Sequence, residues 1–366
     1  MIGLRYPLRN KRGTMQIRRV LAIVAVLALS AGALETAAQK KDDKNQPKRS
    51  KIEQQDVDLS VAMLDRIIQG AQPAPTDFTL AWEANHSTKG QDGQTYVPFT
   101  MLVDKALAGK QVAFYVRVVE KGAPPPALPD PKAKDDKNAP VRPTYPWERI
   151  SFTGVPDSGK MSRAFLLKPG EYDAYITLKE KSTTEIKDLA KAAPPKMAYL
   201  KRELSVPDYN GAELKMSAPI LAATVEPLAA PLSPAQTEEN PYSVFGAMRI
   251  VPSPDGKFSK AGEFSIVFFV YGAGDAGGGK PNVALDYSFY VKQGEGEKYF
   301  NKTAPQELNG ATLSPDFNVT LGHQVPGMLS IPLASFPVGD YRLEIKVTDR
   351  AGNKTITQNV TFSVTA

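Results

Sequence analysis

The sequence predicts an all-β protein: two tandem Ig-like antiparallel β-sandwich domains, preceded by a signal peptide and a short N-terminal helix. Three observations point there. Apolar residues come in short, alternating segments rich in Val, Thr, Phe and Tyr. Pro (31) and Gly (27) are frequent enough to punctuate the chain every few residues. One strand-entry pattern also occurs twice, about 170 residues apart.

The elements follow in order. Residues 20–29 (VLAIVAVLAL) form an apolar run of ten behind Arg18 and Arg19, with small residues after it. A basic flank, a short apolar core and an A-x-A-like site make residues 1–33 a secretory signal peptide. The run is shorter than the roughly 20 apolar residues of a transmembrane helix, so no membrane anchor is expected after cleavage. Cleavage is expected after Ala33 or after Ala38, and Met15 is an alternative start. Residues 34–55 carry mixed charge around QKKDDKNQPKRSK and read as a disordered linker. Residues 56–70 place Val57, Val61, Leu64, Ile67 and Ile68 at helical spacing.

The first sandwich is expected over residues 56–226. Its strands read at 78–82, 96–102, 112–119, 149–153, 163–167, 172–178, 198–206 and 220–225. Pro98 assigns the second of these to a sheet edge or a bulge. A long exposed loop with eight prolines is expected over 122–146, and one helical turn around 186–192. The four prolines of 227–241 read as the linker to a second sandwich at 242–366. Strands there are expected at 243–250, 263–271, 283–292, 316–321, 328–332, 341–348 and 355–364.

The repeated pattern is LKPGEYDAYITL at 167–178 and FPVGDYRLEIKV at 336–347. Each has an apolar residue, a Pro, then Gly-acid-Tyr and alternation. Gly170 and Gly339 are expected to supply the turn into the strand. Tyr172 and Tyr341 sit where a tyrosine corner would, with a buried ring and a hydroxyl bonded to nearby backbone.

The net charge of +6 comes from the leader. Residues 1–33 hold six basic side chains and no acid; removing those six from 45 leaves 39, equal to the 39 acids. A mature chain so balanced gives no net-charge support for nucleic-acid binding. There is no Cys, which excludes disulfides, thiolate nucleophiles and Cys metal sites. The two histidines, His86 and His323, have no ligand partner at helical or strand spacing. Residues 272–280 match both G-x-G-x-x-G and G-x-x-x-x-G-K. A phosphate loop needs a helix opening behind it, and here Pro281 leads into a strand, so a Gly-rich strand connection is expected. Asp349-Arg-Ala-Gly352-Asn353 reads as a hairpin turn with Gly at positive φ, as does Asp255-Gly256. No catalytic, metal or cofactor-binding residue is identified.

The stretch from Phe336 through Tyr341, Asp349 and Asn353 to Thr355 resembles the Ig-like β-sandwich modules of secreted acidobacterial proteins of the GWxTD-domain and von Willebrand factor A-related types. Leu204-Ser-Val-Pro-Asp-Tyr209 and Met248-Arg-Ile-Val-Pro252 add to the resemblance. The GWxTD tetrapeptide and a D-x-S-x-S adhesion motif are absent, so no activity of those domains is implied. The resulting expectation is a secreted or periplasmic, non-enzymatic binding or scaffold protein of the bacterial envelope. Its partner would be an envelope protein or a glycan. A carbohydrate-binding accessory module is the alternative, and a secreted hydrolase a weaker one. The ligand-binding candidates are Trp147 and Tyr145, with Trp82 and Tyr242 as further exposed-aromatic candidates.

Overall fold

A computed structural model describes residues 49–125, 144–187, 194–230, 232–243 and 248–366. The expected signal peptide, most of the 34–55 linker and most of the Pro-rich loop lie outside the described residues. Among those described, no helix is long and apolar enough to cross a membrane.

The described residues are mostly β, in four sheets. Helix α1 (Lys51–Ile68) comes first. It reaches back into the segment expected to be disordered because Ser50 caps it: its side chain accepts from Glu53 N, and the Glu53 carboxylate accepts from Ser50 N at 3.0 Å. Strands β1 (Leu80–Asn85), β2 (Thr88–Lys89) and β3 (Thr95–Val103) follow, then β4 (Gln111–Glu120), β5 (Trp147–Gly154), β6 (Lys160–Leu167), β7 (Gly170–Glu180) and β8 (Ala198–Val206). One sheet has the order β5-β4-β7-β8; the other has β3 between β6 on one side and β1 and β2 on the other. Alternate residues of the two sheets interdigitate: Val97, Phe99 and Met101 of β3 meet Phe114, Val116 and Val118 of β4 and Ala174, Ile176 and Leu178 of β7.

Pro98 therefore sits in a central strand, against expectation. The partner on one side changes from β1 to β2 at His86–Ser87, directly across from it. Pro98 O accepts from His86 N there at 2.9 Å. The gap between β1 and β2 falls where proline has no N–H to give, so no ladder bond is lost.

The second half comprises β9 (Lys215–Met216), β10 (Ile220–Pro227), α2 (Pro234–Glu239), β11 (Met248–Pro252), β12 (Lys257–Ser259), β13 (Glu263–Tyr271), β14 (Val283–Gln293), β15 (Gly296–Lys302), β16 (Gln306–Leu308), β17 (Val325–Pro332), β18 (Gly339–Asp349) and β19 (Lys354–Thr365). Its sheets have the orders β11-β10-β13-β17 and β12-β19-β18-β14-β15. Between them lie Phe264, Ile266, Phe268, Tyr287, Phe289, Tyr341, Leu343, Ile345 and Phe362.

The pairing corrects the expected boundary. β10, assigned from sequence to the first module, hydrogen-bonds to β11 and β13. The Pro-rich stretch 227–241 thus joins two strands of one sheet and contains α2, capped by Ser233 with Pro234 at its first position. The chain passes from one pair of sheets to the other between β8 and β9. Proline count marks where a ladder stops; it does not say which ladder resumes. Residues 316–321, expected as a strand, instead close a 3-10 turn at Val319–Leu321, because the Asn318 side chain accepts from Thr320 N and Leu321 N. The described part of the expected 186–192 turn is not helical, and residues 188–193 lie outside the described residues.

The repeated motif has the same geometry twice. Gly170 and Gly339 have φ of 156° and 154°. Tyr172 OH donates to Lys168 O at 2.9 Å, and Tyr341 OH donates to Pro337 O at 2.7 Å. Both rings are buried, and each bond spans four residues over the strand entrance. Removing the hydroxyl deletes the one side-chain bond that closes each strand entrance. Tyr341→Phe and Tyr172→Phe are each expected to cost about 1–2 kcal/mol in urea unfolding, with the native fold retained by circular dichroism.

Candidate functional site

The aromatic ligand-binding candidates lie apart, three of them half-buried and one buried. Trp147 opens β5 and packs on the first core, edge-on to Phe165 at 6.4 Å. Tyr145 lies with its ring 4.3 Å from the Arg117 guanidinium, which caps its face. Trp82 stacks on Phe99 at 4.6 Å and has the Arg202 guanidinium 5.8 Å above it. Tyr242 is buried. Each of the four rings thus has an aromatic or cationic neighbour within the fold. Among the described residues the most exposed aromatic is Tyr299, 51% exposed on β15, edge-on to Tyr290 of β14 at 5.9 Å.

Among the described residues, a buried polar cluster forms the seam between α1 and the outer face of the β5-β4-β7-β8 sheet. The helix presents Val57, Val61, Leu64 and Ile68 as a stripe, and at 100° per residue Asp56 and Asp65 fall on its two flanks. Leu64 packs on Tyr115 and Tyr175. Asp56 meets Lys179 at 2.5 Å, with both side chains almost fully buried. Its second oxygen accepts from Ser182 N at 2.9 Å. Asp65 meets the fully buried Arg117 at 2.5 Å, and Arg117 Nε also reaches Glu148 at 3.1 Å. Tyr115 OH donates to the same Glu148 oxygen. Glu53 bonds Lys181 at 2.7 Å, which with the Ser50 N–H holds its carboxyl down at about 2. Sequence reading missed this seam. Its signals were present: Arg117 interrupts the apolar run VAFYVRVV, and two acids bracket the helix stripe at a nine-residue spacing.

A second seam joins the two pairs of sheets. Ser87 Oγ and Tyr209 OH are 2.7 Å apart, and Lys89 N donates to Tyr271 OH at 3.0 Å. Gln324 Nε2 donates to Lys89 O at 3.2 Å, and Tyr96 OH donates to Pro241 O at 3.0 Å. The Tyr209 and Tyr271 rings pack 4.7 Å apart. His86 Nδ1 lies 3.3 Å from Tyr242 OH with the rings edge-on. Desolvation lowers its pKa from 6.5 to about 4. Beside this seam opens a cleft of about 330 Å³, lined by Lys89, Tyr271, Gly272, Thr320, His323 and Lys354 among others.

The Gly-rich loop forms one wall of the cleft. Its lysine does not face an empty phosphate cradle: Lys280 Nζ donates to the carbonyls of Ser314, Pro315 and Phe317 at 3.0, 2.6 and 2.6 Å. β14 follows the loop, as the sequence predicts. Gly272 is required sterically, since a Cβ there would run into the carbonyl of Glu213 at φ +68°. The turn 349–353 departs from expectation in one respect. The left-handed residue is Asn353, with φ 50°, and not Gly352. Gly352 is needed because the Asp349 carboxylate occupies the space of a Cβ; that carboxylate accepts from Gly274 N at 2.9 Å and so ties the turn to the Gly-rich loop. Gly256 has the expected positive φ, 61°.

No family model and no curated protein matches the chain. Among solved structures, it is similar to trypsin-activated alpha-2-macroglobulin from Escherichia coli, at 12% identity and a TM-score of 0.21, over 80% of this chain and 17% of that one. A Salmonella alpha-2-macroglobulin mutant gives 11% identity and a TM-score of 0.19 over the same shares. The chain thus spans about a sixth of either protein, and likeness at this level lends no weight to an assignment of fold or function.

Two outcomes are expected. Asp56→Ala strands a buried ammonium and is expected to cost about 3 kcal/mol in urea unfolding, while Asp56→Leu with Lys179→Met recovers most of that loss. For His86, the unfolded chain binds a proton more tightly than the folded one. Stability is therefore complete above pH 6.5, falls as pH drops, and reaches its full loss below about 4. The loss is expected to be about 2 kcal/mol, below the full linkage because the ring keeps some solvent contact. Melting curves of His86→Phe should lack this part of the acid decline.

Proposed function

We propose that the chain is a secreted or periplasmic, non-enzymatic binding or scaffold protein of the bacterial envelope, built on Ig-like sandwiches. The observation that carries this reading is the seam of tyrosine hydroxyls and backbone groups between the two pairs of sheets. Ser87, Tyr96, Tyr209, Tyr242 and Tyr271 fix one pair against the other through bonds from several separate loops. A body so fixed holds its sheet faces and loops in constant relative position, which suits presentation of a surface to a partner. Four of the buried ionisable groups serve the same end: Asp56, Asp65, Arg117 and Lys179 tether α1. The leader supports the compartment.

A glycan partner is favoured by one feature of the outer sheet face. Tyr299 stands exposed beside Tyr290, and Arg342 is held over Tyr290 by Glu297 at 2.7 Å, Glu344 at 3.2 Å and Asn359 at 2.7 Å. An open aromatic ring flanked by fixed polar groups is the arrangement that stacks on a sugar face.

Immobilised mature chain is expected to retain an envelope component saturably and to give background turnover in a hydrolase panel. Reproducible turnover above background would overturn the non-enzymatic reading. Glycan-array binding lost in Tyr299→Ala would identify the partner as a glycan and the β14–β15 face as its site.

A further inference from the structure

Every open sheet offers unpaired N–H and C=O groups along its edge strands, and natural edges are blunted by charge, proline, bulges or brevity. The described edges follow that rule, with one exception. β5 carries Glu148 and Arg149, and β8 carries Lys201, Arg202 and Glu203. β6 carries Lys160 and Arg163, and β1 is bulged at Trp82–Ala84. β11 carries Arg249 and Pro252, β17 carries Pro326, Gly327 and Pro332, and β15 carries Glu297, Lys298 and Lys302.

The exception is β19. Its full length pairs with β18, but on its other side β12 pairs only with residues 363–365, and Gly256 ahead of β12 lies against Thr361 O. Residues 355–361 read TITQNVT, with no charge, no proline, no glycine and no bulge against β18. Which groups face the open side follows from parity. Ser363 N donates outward to Gly256 O at 2.9 Å, and Thr365 O accepts outward from Lys260 N at 2.8 Å. Period two along the strand then turns the backbone groups of Thr355, Thr357, Asn359 and Thr361 to the open edge. Ile356 and Val360, on the core side of the sheet, are only partly buried there.

The sequence of this edge is close to palindromic about Gln358. Thr355 mirrors Thr361, Ile356 mirrors Val360, and Thr357 mirrors Asn359. From this we propose that β19 pairs antiparallel with β19 of a second copy of the chain, centred on Gln358. The two-fold axis would set Thr opposite Thr, Ile opposite Val and Thr opposite Asn, with no like charges facing each other. Thr357 and Asn359, the outward residues clear of Gly256 in this register, give about four inter-chain backbone hydrogen bonds. The pairing also covers Ile356 and Val360 of both copies and joins two β12-β19-β18-β14-β15 sheets into one. This inference is independent of the partner proposed above.

The full mature chain tests it. Sedimentation velocity over a concentration series is expected to show a monomer–dimer equilibrium. Thr357→Pro deletes an outward N–H while leaving the β18 ladder whole; it is expected to raise the dimer dissociation constant at least about tenfold with an unchanged melting curve. Register is read independently by cross-linking, because the chain has no native cysteine. In the proposed register Gln358 faces its own copy as a non-hydrogen-bonded pair, roughly 4.5 Å between Cα atoms, within disulfide reach. Gln358→Cys should therefore oxidise to a covalent dimer, while Asn301→Cys on the opposite sheet edge should not. A chain that stays monomeric throughout, with Gln358→Cys cross-linking no more than Asn301→Cys, overturns the proposal and leaves the edge to a strand from another protein. A dimer that forms but survives Thr357→Pro and does not cross-link through position 358 overturns it equally.

Discussion

The outer face of the β5-β4-β7-β8 sheet is organised around one buried guanidinium. Arg117 stands in the middle of β4 with no solvent contact, and an unpaired guanidinium there would be far too costly to keep. Three elements must supply what it needs: Asp65 from α1, Glu148 from β5, and the hydroxyl of Tyr115 from its own strand. Tyr145, just before β5, covers one face of the guanidinium. Each group has a second obligation. Glu148 also accepts from Tyr115, and Asp65 lies at one edge of a helix whose other edge is fixed by the Asp56–Lys179 pair. The helix therefore has one position along the sheet in which both acids find their cations. Its apolar stripe alone, of Val57, Val61, Leu64 and Ile68, would tolerate sliding by a turn. The ion pairs set the register, and the hydrophobic contact holds what they have set.

Strand content was legible because it rests on local pattern. The alternation in 341–348 returned as β18 within a residue or two of its ends, and the expected 198–206 returned as β8. The twin tyrosine corners were legible for the same reason: glycine, tyrosine and the accepting carbonyl lie within five residues of one another. What failed was long-range. Nothing near Ile220 says that its ladder partner is Val267 and that β10 belongs with the second core. Nothing near Pro98 says that its neighbours change partner at His86. The surroundings of the aromatic candidates were hidden for a related reason. Trp82 and Trp147 carry no local mark distinguishing a ring that stacks on Phe99 or Phe165 from one that faces solvent.

The Gly-rich loop shows how a motif can keep its letters while its residues do other work. In a phosphate loop, lysine and amide groups converge on an anion. Here Lys280 saturates three carbonyls of 314–317, Gly274 N goes to Asp349, and Gly272 makes room for the backbone of Glu213. The glycines permit close approach of three chain segments beside the cleft. The composition that cradles a ligand elsewhere here packs protein against protein, because both tasks need backbone exposed without a Cβ in the way.

The same reasoning about exposed backbone applies to the sheet edges. A sandwich cannot avoid edge strands, so each must be either guarded or used. Guarding leaves a visible trace in side chains, such as the charges of β8 and β15 or the prolines of β17. In β19 that trace is missing along seven residues, although the strand is among the longest of the described strands and ends firmly on β12. Threonine and valine are strand formers that neither repel a neighbour nor break a ladder. An aqueous surface that needed only solubility would be better served by a lysine at 357 or 359. The symmetric, uncharged pattern around Gln358 is what an edge requires when its neighbour is a copy of itself, since a charge at any position would meet its own sign, or an unpaired partner, across the axis.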